Sequence, residues 1–255
     1  MRRACNYNES GTARLVGIFN SVDKIYQNLT DPMKSLKQSV NGDILHKKYE
    51  FWLIRKGTSM NDKTLDYYNQ NADTFFSGTV SVDFKQTQNK FLDCLNEGAY
   101  ILDFGCGSGR DTKYFMDAGM KVDAIDGSEQ MCRIASEYTG IEVQQMLFQE
   151  LDVRDQYDGI WACASILHLP KGDLKIVLQK MATALKKNGI IYTSFKYGEF
   201  EGERNGRYFT DFTIDTFQAF IKDIKGLQIK EDWITGDVRP GRGEERWLNL
   251  ILQKN

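Results

Sequence analysis

Tyr100-Ile-Leu-Asp-Phe-Gly-Cys-Gly-Ser-Gly-Arg110 decides the fold. An apolar run from Tyr100 to Phe104 enters three glycines at alternate positions, Gly105, Gly107 and Gly109, and a helical pattern opens at Arg110. Glycines in such a turn let the backbone bend sharply and let a ligand approach the main chain. The helix beyond begins with unpaired N–H groups. In a parallel α/β sheet this junction lies at the carboxyl end of a strand, where ligands bind. A dinucleotide fingerprint reads G-x-G-x-x-G and aims its helix dipole at a pyrophosphate. Here the spacing is D-x-G-x-G-x-G, with Asp103 ahead of the glycines. A carboxylate at that place repels a pyrophosphate and suits a ligand with a cationic amino group.

Downstream, Val122-Asp-Ala-Ile-Asp126-Gly-Ser128 reads as the next strand with a carboxylate at its end. Asp126 there can accept from both hydroxyls of a ribose, a device shared by several nucleoside cofactors. The competing reading of Asp126 is a helix cap, a task Ser128 can perform alone. Strands at 100–104, 121–126, 141–145, 157–164, 190–195, 227–233 and 247–253 alternate with helices at 110–118, 128–138, 173–185 and 214–224. Such alternation means a parallel sheet with helices on both faces. Asn188-Gly189 reads as the αL terminator of the helix before it. The last two strands are joined by a loop alone and are expected to pair antiparallel.

Upstream the pattern loosens. Helices are expected at 65–76 and 84–95, and residues 60–255 form the regular domain. Residues 1–59 form an N-terminal helical extension of unknown role, with loose apolar patterns at 15–29 and 44–54. The 255 residues suit one α/β domain plus such an extension. With 33 basic and 35 acidic side chains there is no global basic excess of the kind nucleic-acid binding favours. Five cysteines without a C-x-x-C pair, and only His46 and His168, make a weak inventory for zinc, so no metal is expected. They fit a reducing compartment. No apolar run is long enough for a bilayer and no signal-peptide core is present, so a cytoplasmic protein without a membrane partner is expected.

ILDFGCGSGR, VDAIDGSEQM, YDGIWACASILHLP and LKKNGIIYTSF, in this order and spacing, resemble the class I S-adenosylmethionine-dependent methyltransferases. The likeness falls within the broad group that includes tellurite-resistance-type and ubiquinone/menaquinone-biosynthesis-type enzymes. The resemblance covers residues 60–255. It implies a Rossmann-like, doubly wound, mostly parallel seven-stranded sheet with an antiparallel last strand, and S-adenosylmethionine as cofactor. It implies that Asp103, Gly105, Cys106, Gly107, Gly109 and Arg110 hold the methionine moiety. Asp126 takes the ribose, flanked by Gly127, Ser128 and Met131. Phe148, Gln149 or Glu150 serves adenine, because the Asp common in relatives is replaced by Leu147. Ala162 and Cys163 close the methionine end.

His168 has two readings, a general base at the substrate edge or a packed, hydrogen-bonded histidine. Tyr67 and Tyr68 are either a cover for the substrate or core aromatics. Lys196, Tyr208, Arg242 and Arg246 are candidates for the acceptor, since guanidinium forks fit carboxylate and phosphate. The arginines fit surface ion pairs equally well. The acceptor expected is a small, anionic molecule. An RNA or protein acceptor, a non-catalytic binder of the cofactor and, last, a nicotinamide oxidoreductase are the alternatives.

Overall fold

The computed structural model describes residues 59–239 and 241–255, so the patterns read at 15–29 and 44–54 lie outside the described residues. Five strands, β1 (Tyr100–Phe104), β2 (Lys121–Asp126), β3 (Gln144–Gln145), β4 (Tyr157–Ala162) and β5 (Leu185–Lys196), pair in parallel. They join β8 (Leu227–Gly236) and β9 (Arg246–Lys254) in one seven-stranded sheet of order β3-β2-β1-β4-β5-β9-β8. Only β9 runs antiparallel to its neighbours, β5 and β8, as the helix-free connection requires. This is the Rossmann-like, mostly parallel seven-stranded sheet that the resemblance implies.

Helices cover both faces. Leu102 and Phe104 of β1 pack with Leu174 and Val177 of α6 (Lys171–Ala184) and Phe217 of α7 (Ile214–Ile221). Ile101 points the other way, to Phe91 of α3 (Lys85–Leu92) and Phe115 of α4 (Arg110–Asp117). With apolar neighbours on both faces a strand has no reason to alternate, which explains the unbroken runs in the sequence. The strand order reverses between β1 and β4, so the crevice outside their carboxyl ends is the topological place for a ligand.

Two local expectations need correction. The helix expected at 65–76 is two, α1 (Ser59–Gln70) and α2 (Ala72–Thr79), parted at Asn71. The Asn71 amide donates to the Tyr67 carbonyl at 2.7 Å, a side-chain bond of the sort that competes with helix continuation. Asn188 and Gly189 terminate no helix: α6 ends at Ala184 and both residues lie inside β5, where Asn188 adopts φ 63°. The polar stretch after β5 is a hairpin, β6 (Glu201–Arg204) and β7 (Arg207–Thr210). Its turn, Asn205-Gly206 with φ of 53° and 75°, matches the Asn-Gly preference of tight hairpins. No helix among the described residues is long and apolar enough to cross a membrane.

Candidate active site

The turn after β1 is shaped for close approach. Gly105, Gly107 and Gly109 all have positive φ. A Cβ on Gly105, at φ 86°, would lie 2.5 Å from Cβ of Ser165, whose hydroxyl donates to the Phe104 carbonyl. Gly109 caps α4 in the left-handed conformation, and a Cβ there would meet Thr139 of α5 (Glu129–Thr139) at 2.8 Å. Two of the three glycines are thus required by neighbouring side chains as well as by the turn.

Asp126 ends β2 and lines the same cavity as the glycine turn. Its carboxylate accepts the N–H of Gly107 at 3.0 Å and of Ser128 at 2.9 Å. Burial raises its pKa, and the N–H groups of Ser128 and Gly107 oppose that rise. Ser128 does the capping: its hydroxyl accepts from Met131 N at 3.2 Å and donates to Asn69 of α1. Asp126 is therefore not the cap of α5, and each of its oxygens keeps a lone pair for another donor.

A cavity of about 210 Å³ starts at this turn. Gly105, Cys106, Gly107, Arg110, Asp126, Gly127, Phe148 and Cys163 are in its wall, with Met146 and Leu147 beside Phe148. Arg110 is tied to Asp111 through two hydrogen bonds of 2.8 and 2.9 Å and lies over the Phe84 ring. Cys163 is an uncharged thiol, pushed up to about 12 by burial.

Several residues expected in contact with the cofactor lie elsewhere. Asp103 is 2% exposed and faces α4, accepting from Thr112 at 2.5 Å, a layer behind the cavity. Burial first, and the Asp111 carboxylate second, raise its pKa to about 8. Gly109 and Ser128 serve helix starts, and Ala162 is closed inside the sheet. Met131 packs with Ala72 and Ile134. Glu150 accepts from Leu147 N and closes its own turn, and Oε1 of Gln149 is buried with no partner. Of the 146–150 segment, Met146, Leu147 and Phe148 are the residues in the cavity wall.

The far end of the cavity is cationic: Lys196, Arg207, Arg239 and Arg242 line it together with Asp237. Lys196 pairs with Glu245, sits 4.5 Å from the Trp247 ring centre, and is lowered to about 8, chiefly by burial. Arg242 lies 3.9 Å from Glu245. Asp237 accepts Nε of Arg239 at 2.9 Å, and its carboxyl is held down at about 2: burial would raise it, but the hydrogen bonds from Arg239 outweigh that.

Tyr68 and His168 line the cavity, but His168 offers it no free nitrogen. Nδ1 lies 2.6 Å from the Tyr208 carbonyl, so it must carry the proton, and Nε2 then accepts from the Tyr68 hydroxyl at 2.9 Å. Burial lowers its pKa to about 4. The geometry favours the packed, hydrogen-bonded reading over that of a general base. Tyr208 turns away, its hydroxyl donating to Glu201, and only its main chain serves the site. Arg246 stacks on Tyr197 outside the wall, and Tyr67 lies behind Arg207. The sequence reading does not single out Arg207 or Asp237, and takes Arg239 only as one of three arginines in the 239–246 loop. The Asn-Gly turn before Arg207 was the available signal.

Residues 101–189 match a family model described as a methyltransferase domain. Ubiquinone biosynthesis O-methyltransferase of Rhodopseudomonas palustris is 31% identical over 107 residues, 40% of this chain and 41% of that enzyme. This chain carries a class I S-adenosylmethionine-dependent methyltransferase domain. An uncharacterized methyltransferase of Staphylococcus carnosus is 24% identical over 170 residues, 60% of the chain and 82% of the relative. The chain spans less than half the length of the first curated relatives it matches. The methyltransferase fold also aligns with a crystal structure of Burkholderia thailandensis 1,6-didemethyltoxoflavin-N1-methyltransferase. The TM-score is 0.59 at 19% identity, over 82% of this chain and 90% of that one.

Proposed function

We propose that the protein transfers the methyl group of S-adenosylmethionine to a small acceptor carrying an oxyanion. The observation that carries this reading is one cavity whose two ends differ: glycine turn and Asp126 at one, four cations at the other. The Rhodopseudomonas and Burkholderia proteins, named for methylation of small molecules, support it.

The residues present fit the cofactor. The turn would be blocked by a Cβ at Gly105, Asp126 has lone pairs for ribose hydroxyls, and Met146 to Phe148 form an apolar edge for adenine. Asp103 braces α4 against the turn through Thr112. The cofactor supplies an electrophilic methyl on a sulfonium, so the chain needs no nucleophile of its own. Its contribution is to hold the acceptor in line and to exclude water. These elements all follow Met60, and residues 60–255 are proposed as the catalytic domain.

The test is calorimetric titration with S-adenosylhomocysteine and with NAD, followed by a screen of small organic acids for S-adenosylhomocysteine release. Tight binding of the nucleoside product and release with an acid are expected. NAD binding as tight or tighter overturns the cofactor assignment, and turnover with neutral acceptors alone overturns the oxyanion.

A further inference from the structure

We propose that Arg207 anchors a carboxylate on the acceptor, and that this carboxylate is borne on a flat apolar body about one ring in size. The inference rests on the methyltransferase reading above and adds the substrate class and the residue that selects it.

Of the four cations at the far end of the cavity, three have a carboxylate at hand: Lys196 and Arg242 share Glu245, and Arg239 has Asp237. Arg207 has none among the described residues, and its Nε is buried without a hydrogen-bond partner. Arg207 is half-buried and lines the cavity, and a cation placed there without a counter-ion suits an anion from outside the fold. Nor is the side chain loose. Its guanidinium carbon lies 4.4 Å from the Tyr67 ring centre and 5.1 Å from that of Phe209, and Nη1 donates to the Tyr68 hydroxyl at 3.4 Å. Tyr68 is fixed in turn by His168, and His168 by the Tyr208 carbonyl of the hairpin itself. An orientation held this way suits a planar, two-oxygen partner, for which the guanidinium fork is the natural match.

The body attached to the carboxylate follows from the wall between anchor and glycine turn. Phe75 lies 3.1 Å from the Cβ position of Gly107 and 5.2 Å, ring to ring, from Tyr68, the neighbour of Arg207. Two aromatic side chains in succession, Phe75 and Tyr68, therefore line the interval between the turn and the anchor. Phe84 and Trp247 complete an apolar wall. With the turn side taken by the cofactor, the Tyr68 side next to Arg207 takes a flat apolar body about one ring in size.

The test uses the full chain saturated with S-adenosylhomocysteine and titrated, in separate arms, with benzoate, acetate and inorganic phosphate, read by calorimetry. Benzoate is expected to bind at least tenfold more tightly than acetate or phosphate. Arg207→Met and Arg207→Lys are both expected to weaken benzoate at least tenfold, because an ammonium cannot form the fork. Their S-adenosylhomocysteine affinity should stay within threefold of wild type. Arg207→Lys keeps the charge and serves if Arg207→Met does not fold. Benzoate binding equal in the folded variants and wild type, phosphate binding more tightly than benzoate, or no benzoate binding to wild type overturns the anchor. Failure of wild type to bind S-adenosylhomocysteine overturns the methyltransferase reading instead, and benzoate titrated alone then reads the anchor by itself.

Discussion

The two ends of the cavity are built in opposite ways. The glycine turn takes its main residues from one stretch, 105–111, with Asp126 from the next strand. The cationic end draws Tyr68 from α1, Lys196 from β5, Arg207 from the hairpin, and Asp237, Arg239 and Arg242 from the connection after β8. The first end works through backbone shape and tolerates little change. The second works through side chains that pair, stack and can be exchanged. A cofactor common to many enzymes suits the former, and an acceptor particular to one suits the latter.

The sharpest way to break this contrast is Gly105→Ala. The positive φ and the 2.5 Å approach to Ser165 both oppose a Cβ, and S-adenosylhomocysteine affinity is expected to fall about 100-fold or more, roughly 3 kcal/mol. Calorimetry on the folded variant measures it, and near-normal affinity would mean the turn is not shaped by its glycine.

His168 offers a test at the other end through pH. Its folded pKa of about 4 lies below the ordinary 6.5, so the stability it contributes is present above pH 6.5 and is lost as pH falls towards 4. The shift corresponds to about 3 kcal/mol. Asp103, raised to about 8, acts oppositely across the same range, since the folded state keeps a proton the unfolded state has lost. The wild type alone is thus expected to show little slope, but the difference between wild type and His168→Asn in urea melts should shrink by that amount from pH 6.5 to 4. A constant difference would contradict the neutral, buried imidazole.

Asp126→Ala should weaken S-adenosylhomocysteine by about tenfold or more, from the loss of a charged hydrogen-bonding group worth roughly 1.5–3 kcal/mol. The fold should persist, because Ser128 caps α5. A variant that binds normally but melts early would return Asp126 to a structural role. The smallest effect is expected from Arg246→Ala. Its guanidinium lies over Tyr197 outside the cavity wall, so kcat/KM should change less than about threefold, the scale of an exposed stacking contact. A tenfold loss would place the acceptor on the other side of Trp247.

Much of the fold and the glycine end was legible because each signal is short-range. Alternating apolar runs and helices specify a parallel sheet whatever lies far away, and D-x-G-x-G-x-G places a turn at a strand end through the conformations of its own residues. Asp103 shows the limit. Its place before the glycines was readable, but whether its carboxylate looks into the cavity or back to Thr112 depends on which face of β1 it takes against α4. Met131 fails likewise, being beside Ser128 in sequence but turned into the cluster under α2.

From the sequence alone came the sheet, its one antiparallel strand, the glycine turn and the Asp126 position, since each follows from backbone geometry within about thirty residues. Only the tertiary structure decided the acceptor end. Arg242 and Arg246 are four residues apart, and nothing local separates one in the cavity wall from one stacked on Tyr197. Arg207 becomes distinctive only when, among the described residues, carboxylates stand beside Lys196, Arg239 and Arg242 and none beside it. The Lys196–Glu245 pair joins segments far apart in the chain, as does the seat of Arg207 on Tyr67, and a linear sequence does not carry those distances.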